Sequence, residues 1–169
     1  MRVTKCLILT LAVLFVASYS VVFAGSGAIT KDAVTIGQPT TTASPDNATA
    51  RRVTVPLNLE NTRQLVAMDV PLGFGQPGDG IQLVNVKYAS RVDYFDEKIT
   101  KIDNENKTVV MGLISMAYDP NTSDLEAGSG PIAELTFDIT DPTMASFNIG
   151  SIRTERPHHR LMLVWHEYN

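Results

Sequence analysis

Thr108-Val109-Val110-Met111-Gly112-Leu113-Ile114-Ser115-Met116 and Ile132-Ala133-Glu134-Leu135-Thr136-Phe137-Asp138-Ile139-Thr140 decide how this chain folds. In the second run Ala133, Leu135, Phe137 and Ile139 alternate with Glu134, Thr136, Asp138 and Thr140. Successive side chains leave a strand on opposite faces, so this is a strand with one buried and one wet face. The first run is apolar on both parities, which suits a strand buried on both sides or near a sheet centre. Between them a polar connection leads to Ala127-Gly128-Ser129-Gly130-Pro131, a hinge by composition. The pair reads as the middle of an antiparallel sandwich.

Working outward, the same period recurs. Val53, Val55, Leu57 and Leu59 alternate with Thr54, Pro56, Asn58 and Glu60. Pro56 cannot donate to a ladder, so its amide side should face an edge or a bulge. Val66, Met68, Val70, Leu72 and Phe74 should point inward, with Ala67, Asp69, Pro71 and Gly73 on the opposite parity. Further strands are expected at 32–37, 81–88, 147–152 and 161–165, and residues 92–102 are more polar and ambiguous. Residues 40–50 read as a loop, 76–80 as a turn, 103–107 as a hairpin tip and 155–160 as a turn. Such spacing, about eight or nine short strands with no helical period, predicts an all-β fold. The expected architecture is an antiparallel jelly-roll sandwich, with a small closed barrel as the alternative. Val55, Leu57, Leu59, Met68, Val70, Leu72, Leu113, Leu135, Phe137 and Ile139 should form its core.

At the start, Arg2 and Lys5 precede an apolar block, and Val22-Phe23-Ala24 supplies a small-residue exit. This predicts a helical signal peptide over 1–24, a linker over 25–31 and one domain over 32–169, hence secretion. A membrane anchor is the rival, but Ser18, Tyr19 and Ser20 interrupt the block and no basic stop-transfer cluster follows. Cys6, the only cysteine, leaves with the leader, so no disulfide is expected in the remaining 145 residues. Arg2 and Lys5 leave too, so 12 basic residues face 18 acidic ones, a formal charge of −6. That balance disfavours nucleic acid and anionic membrane as partners.

The order of strands resembles the cohesin domain and its wider carbohydrate-binding-like superfamily. The residues that carry the likeness are Val53-Thr54-Val55-Pro56-Leu57, Ala67-Met68-Asp69-Val70-Pro71-Leu72-Gly73-Phe74, Ile81-Gln82-Leu83-Val84-Asn85-Val86 and Ile132-Ala133-Glu134-Leu135-Thr136-Phe137. It covers about residues 34–152, and the ordered set, not any single motif, is distinctive. The resemblance implies a nine-stranded jelly roll that binds a protein partner, a dockerin module, in extracellular polysaccharide-degrading assemblies. It also implies that the partner lies across the sheet containing residues 65–74. Ala67, Asp69 and Pro71 are therefore the expected partner-binding residues, with Asp69 as the central one. Only one such module is present, with neither a dockerin repeat nor a surface anchor, so a drift to another ligand fits as well.

Other constellations point less far. Asp119-Pro120-Asn121-Thr122-Ser123-Asp124 offers oxygen ligands, but an EF-hand needs Gly where Asp124 stands and Glu where Gly130 stands. An irregular calcium site using Asp119, Asp124 and Glu126 is the residual reading, beside a solvated loop. Adjacent His158 and His159 diverge on an extended chain, and with His166 they make a poor zinc set. Asp93, Asp96 and Glu97 cluster, yet glycoside hydrolysis needs two carboxylates facing across a cleft of about 5–10 Å. No nucleophile elbow occurs. No catalytic residue, metal or cofactor is therefore expected. The alternative is a carbohydrate-binding or purely structural sandwich domain; for direct polysaccharide binding, Trp165 is the sole Trp, and Tyr88, Tyr94, Tyr118 and Tyr168 are scattered. Asn47, Asn106 and Asn121 stand in glycosylation sequons.

Overall fold

A computed structural model describes residues 31–46, 49–116, 125–141, 143–152 and 161–165. The alternating segments become strands β1 Ala33–Ile36, β2 Thr40–Ala43, β3 Arg51–Asn61, β4 Leu65–Phe74 and β5 Ile81–Tyr88. After a 3-10 turn at Ser90–Val92 come β6 Glu97–Asp103, β7 Thr108–Ile114, β8 Gly128–Ile139, β9 Ile149–Ser151 and β10 Met162–Trp165. One sheet has the order β1-β3-β8-β5, with β2 also on β3; the other has the order β10-β4-β7-β6, with β9 also on β4. Every pairing is antiparallel. Because β3, β4, β5 and β6 alternate between sheets, consecutive segments face one another across the core. The fold is an all-β, antiparallel β-sandwich. The expected leader, residues 1–24, lies outside the described residues.

All ten residues expected in the core are buried. Phe137 stands at its centre, edge-on to Phe74 (ring centroids 5.2 Å apart) and to Phe147 (5.0 Å). Such pairs add about 0.5–1.5 kcal/mol to the area they bury. Trp165 packs against the core from β10, and the Arg63 guanidinium lies 4.1 Å from its ring centroid.

Several expectations are corrected. The first of the two deciding runs, now β7, is an inner strand between β4 and β6, but it is buried on one face only. Val109, Met111 and Leu113 point into the core, and Ile114 on the other parity is exposed. The hinge at 127–131 is instead largely the start of β8, paired with the end of β3. Its glycines leave room for the Arg91 side chain, which lies across them and donates to the Leu59 carbonyl (2.9 Å) and Asn61 Oδ1 (2.5 Å). Asn61 is fully buried and donates in turn to the carbonyls of Arg63 and Glu126. The loop at 40–50 contains β2, which pairs with β3, and Arg52 on β3 holds Asp138 and, beyond β2, Asp46 at 2.8 Å each. Residues 92–102, ambiguous by sequence, divide in two: Val92 and Phe95, three apart around a tight turn, plug the core before β6 begins. Val66 is only partly buried, whereas Leu65 is fully buried where it bridges to Leu125.

Two of the three prolines in described strands, Pro56 and Pro71, share one solution. The Pro56 carbonyl accepts from the Gly37 N–H (2.7 Å), and the Pro71 carbonyl accepts from the Ile152 N–H (3.3 Å). A residue's N–H and C=O leave an extended strand on the same side. Each proline thus turns its missing donor toward the first residue beyond a short flanking strand, β1 in one sheet and β9 in the other. There the ladder is ending, and the missing hydrogen bond costs least.

Candidate partner-binding face

The outer face of the β10-β4-β7-β6 sheet follows from register. One row reads Val164, Ala67, Ile114 and Glu97; the next reads Met162, Asp69, Gly112 and Ile99. Val110 and Lys101 continue it toward the hairpin end. The opposite parity of β4 and β7 is buried in the core, so these residues face outward. Ile99 is 57% exposed, Ile114 42% and Val164 36%, which is unusual for three large aliphatic residues on neighbouring strands. They surround one carboxylate. A Cβ built on Gly112 would stand 3.2 Å from Asp69 Oδ1 and 3.9 Å from the Ile99 Cβ. Glycine therefore keeps the floor beside Asp69 open. No described residue donates a hydrogen bond to the Asp69 carboxylate, which leaves its acceptor capacity for something that lands on the face.

Of the three expected site residues, Ala67 and Asp69 lie on this face, both partly exposed. Pro71 does not offer an open surface. It is buried, lining a slot of about 150 Å³ with Val34, Ile36, Gly150, Ser151 and Leu161. Gly73 is covered as well, since a Cβ there would meet Ile152 Cγ2 at 2.7 Å. Ile152, just beyond β9, covers Gly73, so the face is centred on Asp69 and extends toward β6. Reading the sequence alone missed Ile99 and Ile114. The available signal was isoleucine on the non-core parity of two adjacent segments.

Asp96 accepts the Met116 N–H (2.8 Å), and Asp93 ends the 3-10 turn. Glu126 accepts from Gln64 Nε2 (2.6 Å), while Asp119 and Asp124 lie outside the described residues, as do His158, His159 and His166. Among the described residues no three His, Cys, Asp or Glu side chains come together as a metal site. A second hollow, about 320 Å³, is lined by residues 73–75, 77, 106–108, 148 and 150–152. Lys107 beside it turns its Nζ inward to the carbonyls of Asp79 and Ile81. Burial raises the Tyr88 hydroxyl pKa; that hydroxyl meets Thr100 Oγ1 at 2.7 Å, tying β5 to β6 across the sandwich. Tyr94 is 55% exposed, and Tyr118 and Tyr168 lie outside the described residues.

The chain matches no protein-family model and no curated protein. Among solved structures it is similar to cohesins. One is the third cohesin of ScaC from Acetivibrio cellulolyticus, solved with the ScaB dockerin. Identity is 20%, the TM-score is 0.49, and the match covers 58% of this chain and 68% of that one. Another is the OlpC cohesin from Clostridium thermocellum, in complex with a dockerin: 16% identity, TM-score 0.45, and coverage of 59% and 69%. A third is the non-cellulosomal cohesin of the archaeon Archaeoglobus fulgidus, at 16% identity and TM-score 0.39, covering 68% and 74%.

Proposed function

We propose that this chain is a secreted, non-catalytic binding module of cohesin type, taking a dockerin-like protein partner on the face around Asp69. The observation that carries this reading is the flat outer sheet face itself. Exposed Ile99, Ile114 and Val164 flank a carboxylate that no described residue satisfies, with Gly112 open beside it. An apolar surface with one central acceptor suits an amphipathic helix that brings a hydroxyl or cationic donor among apolar side chains. The ordered strand motifs support the same reading, through the cohesin resemblance they carry. The wider setting, extracellular polysaccharide breakdown, follows from that resemblance and from the leader-like residues 1–24.

Sugar binding is the weaker reading on this face, because a pyranose platform needs exposed aromatic rings. Trp165 packs against the core under Arg63, and the rows around Asp69 contain no aromatic residue. The test is a calorimetric titration of the chain against a panel of dockerin modules, run beside affinity electrophoresis on soluble polysaccharides. Binding to a dockerin, weakened by Asp69→Ala, is expected. Retardation by a glycan with no dockerin bound overturns the proposal.

A further inference from the structure

Three of the four sheet edges are visibly blunted. Along β3 the edge is split into the short strands β1 and β2, and along β4 into β9 and β10. Along β5 a bulge interrupts the ladder between Leu83 and Asn85. There the Asn104 amide also occupies the Leu83 backbone, accepting from its N–H (2.8 Å) and donating to its carbonyl (3.2 Å). Breaks, bulges and plugs of this kind keep exposed edges from pairing with other chains.

The fourth edge, β6, is different. It runs seven residues in unbroken register with β7 and contains no proline. The hydrogen-bond phase is fixed by its neighbours: Ser115 N–H donates to the Val66 carbonyl (2.8 Å) and Phe74 N–H to the Lys107 carbonyl (2.8 Å). Val109, Met111 and Leu113 therefore bond to β4, and the residues between them bond to β6. Glu97, Ile99 and Lys101 spend their backbone groups on β7, and Lys98, Thr100 and Ile102 present theirs to the open edge. No described residue meets those groups.

We infer that this edge pairs with β6 of a second copy of the chain, antiparallel, about a two-fold axis through Ile99. The side-chain pattern selects that centre. It sets Glu97 opposite Lys101 of the other copy, twice, and Ile99 opposite Ile99 on the same outer face. Opposite charges and aliphatic pairs stabilise cross-strand neighbours, and like charges oppose them. Centring on Thr100 would set Glu97 against Asp103 twice, and centring on Lys101 would set lysine against lysine. Lys98 and Thr100 of opposite copies then exchange backbone hydrogen bonds, and the two outer sheets become one continuous sheet. Pairing through about five residues buries less than a standard interface, so the dimer is weak and concentration-dependent.

Sedimentation equilibrium of the full chain from about 10 μM to 1 mM, spanning the range of weak association, tests this directly. Mass rising from monomer toward dimer is expected, and a monomer throughout overturns the inference. Glu97→Lys alone and Lys101→Glu alone should each weaken dimerisation about tenfold or more, because each converts both ion pairs to repulsions. An equimolar mixture of the two variants should restore a heterodimer, since lysines then face glutamates at both sites. Thr100→Pro removes an edge donor without touching the β7 ladder and should give a monomer, with the thermal midpoint lowered only by loss of the Tyr88 hydroxyl contact, which Thr100→Val measures by itself. Single charge reversals that dimerise like the parent, or a mixture that stays monomeric, sink the Ile99-centred pairing. These readouts are masses, so they stand apart from any partner at the Asp69 face.

Discussion

Asp69 sits in the middle of a sheet, where a carboxylate contributes little to folding. On that ground Asp69→Ala should leave the denaturation midpoint nearly unchanged. It should weaken binding to an identified protein partner by about 1–3 kcal/mol, the worth of a charged hydrogen bond. Isothermal titration beside a denaturant melt separates the two effects, and undiminished affinity removes Asp69 from the site. Gly112→Val makes the complementary test, since its Cβ would stand 3.2 Å from Asp69 Oδ1 and crowd the carboxylate. A β-branched residue fits a strand, so that variant should fold and bind poorly. Phe137 is the opposite kind of residue: fully buried, it touches Phe74 and Phe147 edge-on from the centre of the core. Phe137→Ala should cost about 3–5 kcal/mol in urea unfolding, through lost burial and a residual cavity. A negligible shift would mean that β8 does not cross the core there.

At the scale of elements, the turns do more than connect. The β6–β7 hairpin tip is built by Asp103, whose carboxylate accepts the N–H groups of Glu105 (3.1 Å) and Asn106 (2.9 Å). It ends on Lys107 in the left-handed region, φ 55°. That conformation is uncommon for a side chain with a Cβ, and here the inward Lys107 Nζ ties the tip to the turn after β4. Asn104 of the same tip fills the β5 edge at Leu83. Asn104→Ala should therefore destabilise the domain by about 1–3 kcal/mol, as two partly buried backbone groups lose their partner. Thermal unfolding reads this, and an unchanged midpoint means that water replaces the amide at no cost.

For the molecule as a whole, acid is the sensitive direction. The Arg52 guanidinium, helped by the Ser44 hydroxyl, holds the Asp138 carboxyl below its ordinary value of 3.8. Asn106 does the same for Asp103, and the Thr143 hydroxyl and N–H do it for Asp141. A carboxyl whose folded value is depressed contributes stability above its unfolded value and loses it as pH falls through the folded one. Stability should therefore be flat above about pH 5 and decline below about pH 4. Asp138→Asn should flatten part of that decline in a pH series of urea melts. A decline of the same size in the variant would place the titrating groups elsewhere. Export is tested separately: N-terminal sequencing of the chain released by an exporting host should begin at Gly25.

Alternation is local chemistry, and for that reason the sequence alone determined the all-β class and the inward parity of β3, β4 and β8. A residue such as Leu135 or Phe137 faces inward whichever strand lies beside it, because its neighbours in the chain are polar. What a sheet face meets is not local. The apolar run at 108–116 carried no sign of whether Val110, Gly112 and Ile114 were covered, since burial there depends on strands far away in the chain. Only the tertiary structure decided that this parity lies open beside Asp69, and that Pro71 and Gly73 on the same strand do not. Asp69 itself was legible through the strand motif in which it stands. Its surroundings were not, because Ile99 and Ile114 reach it only through the register of β4 with β7 and of β7 with β6. Register is set by hydrogen bonds and packing summed over whole strands, which no short stretch of sequence contains.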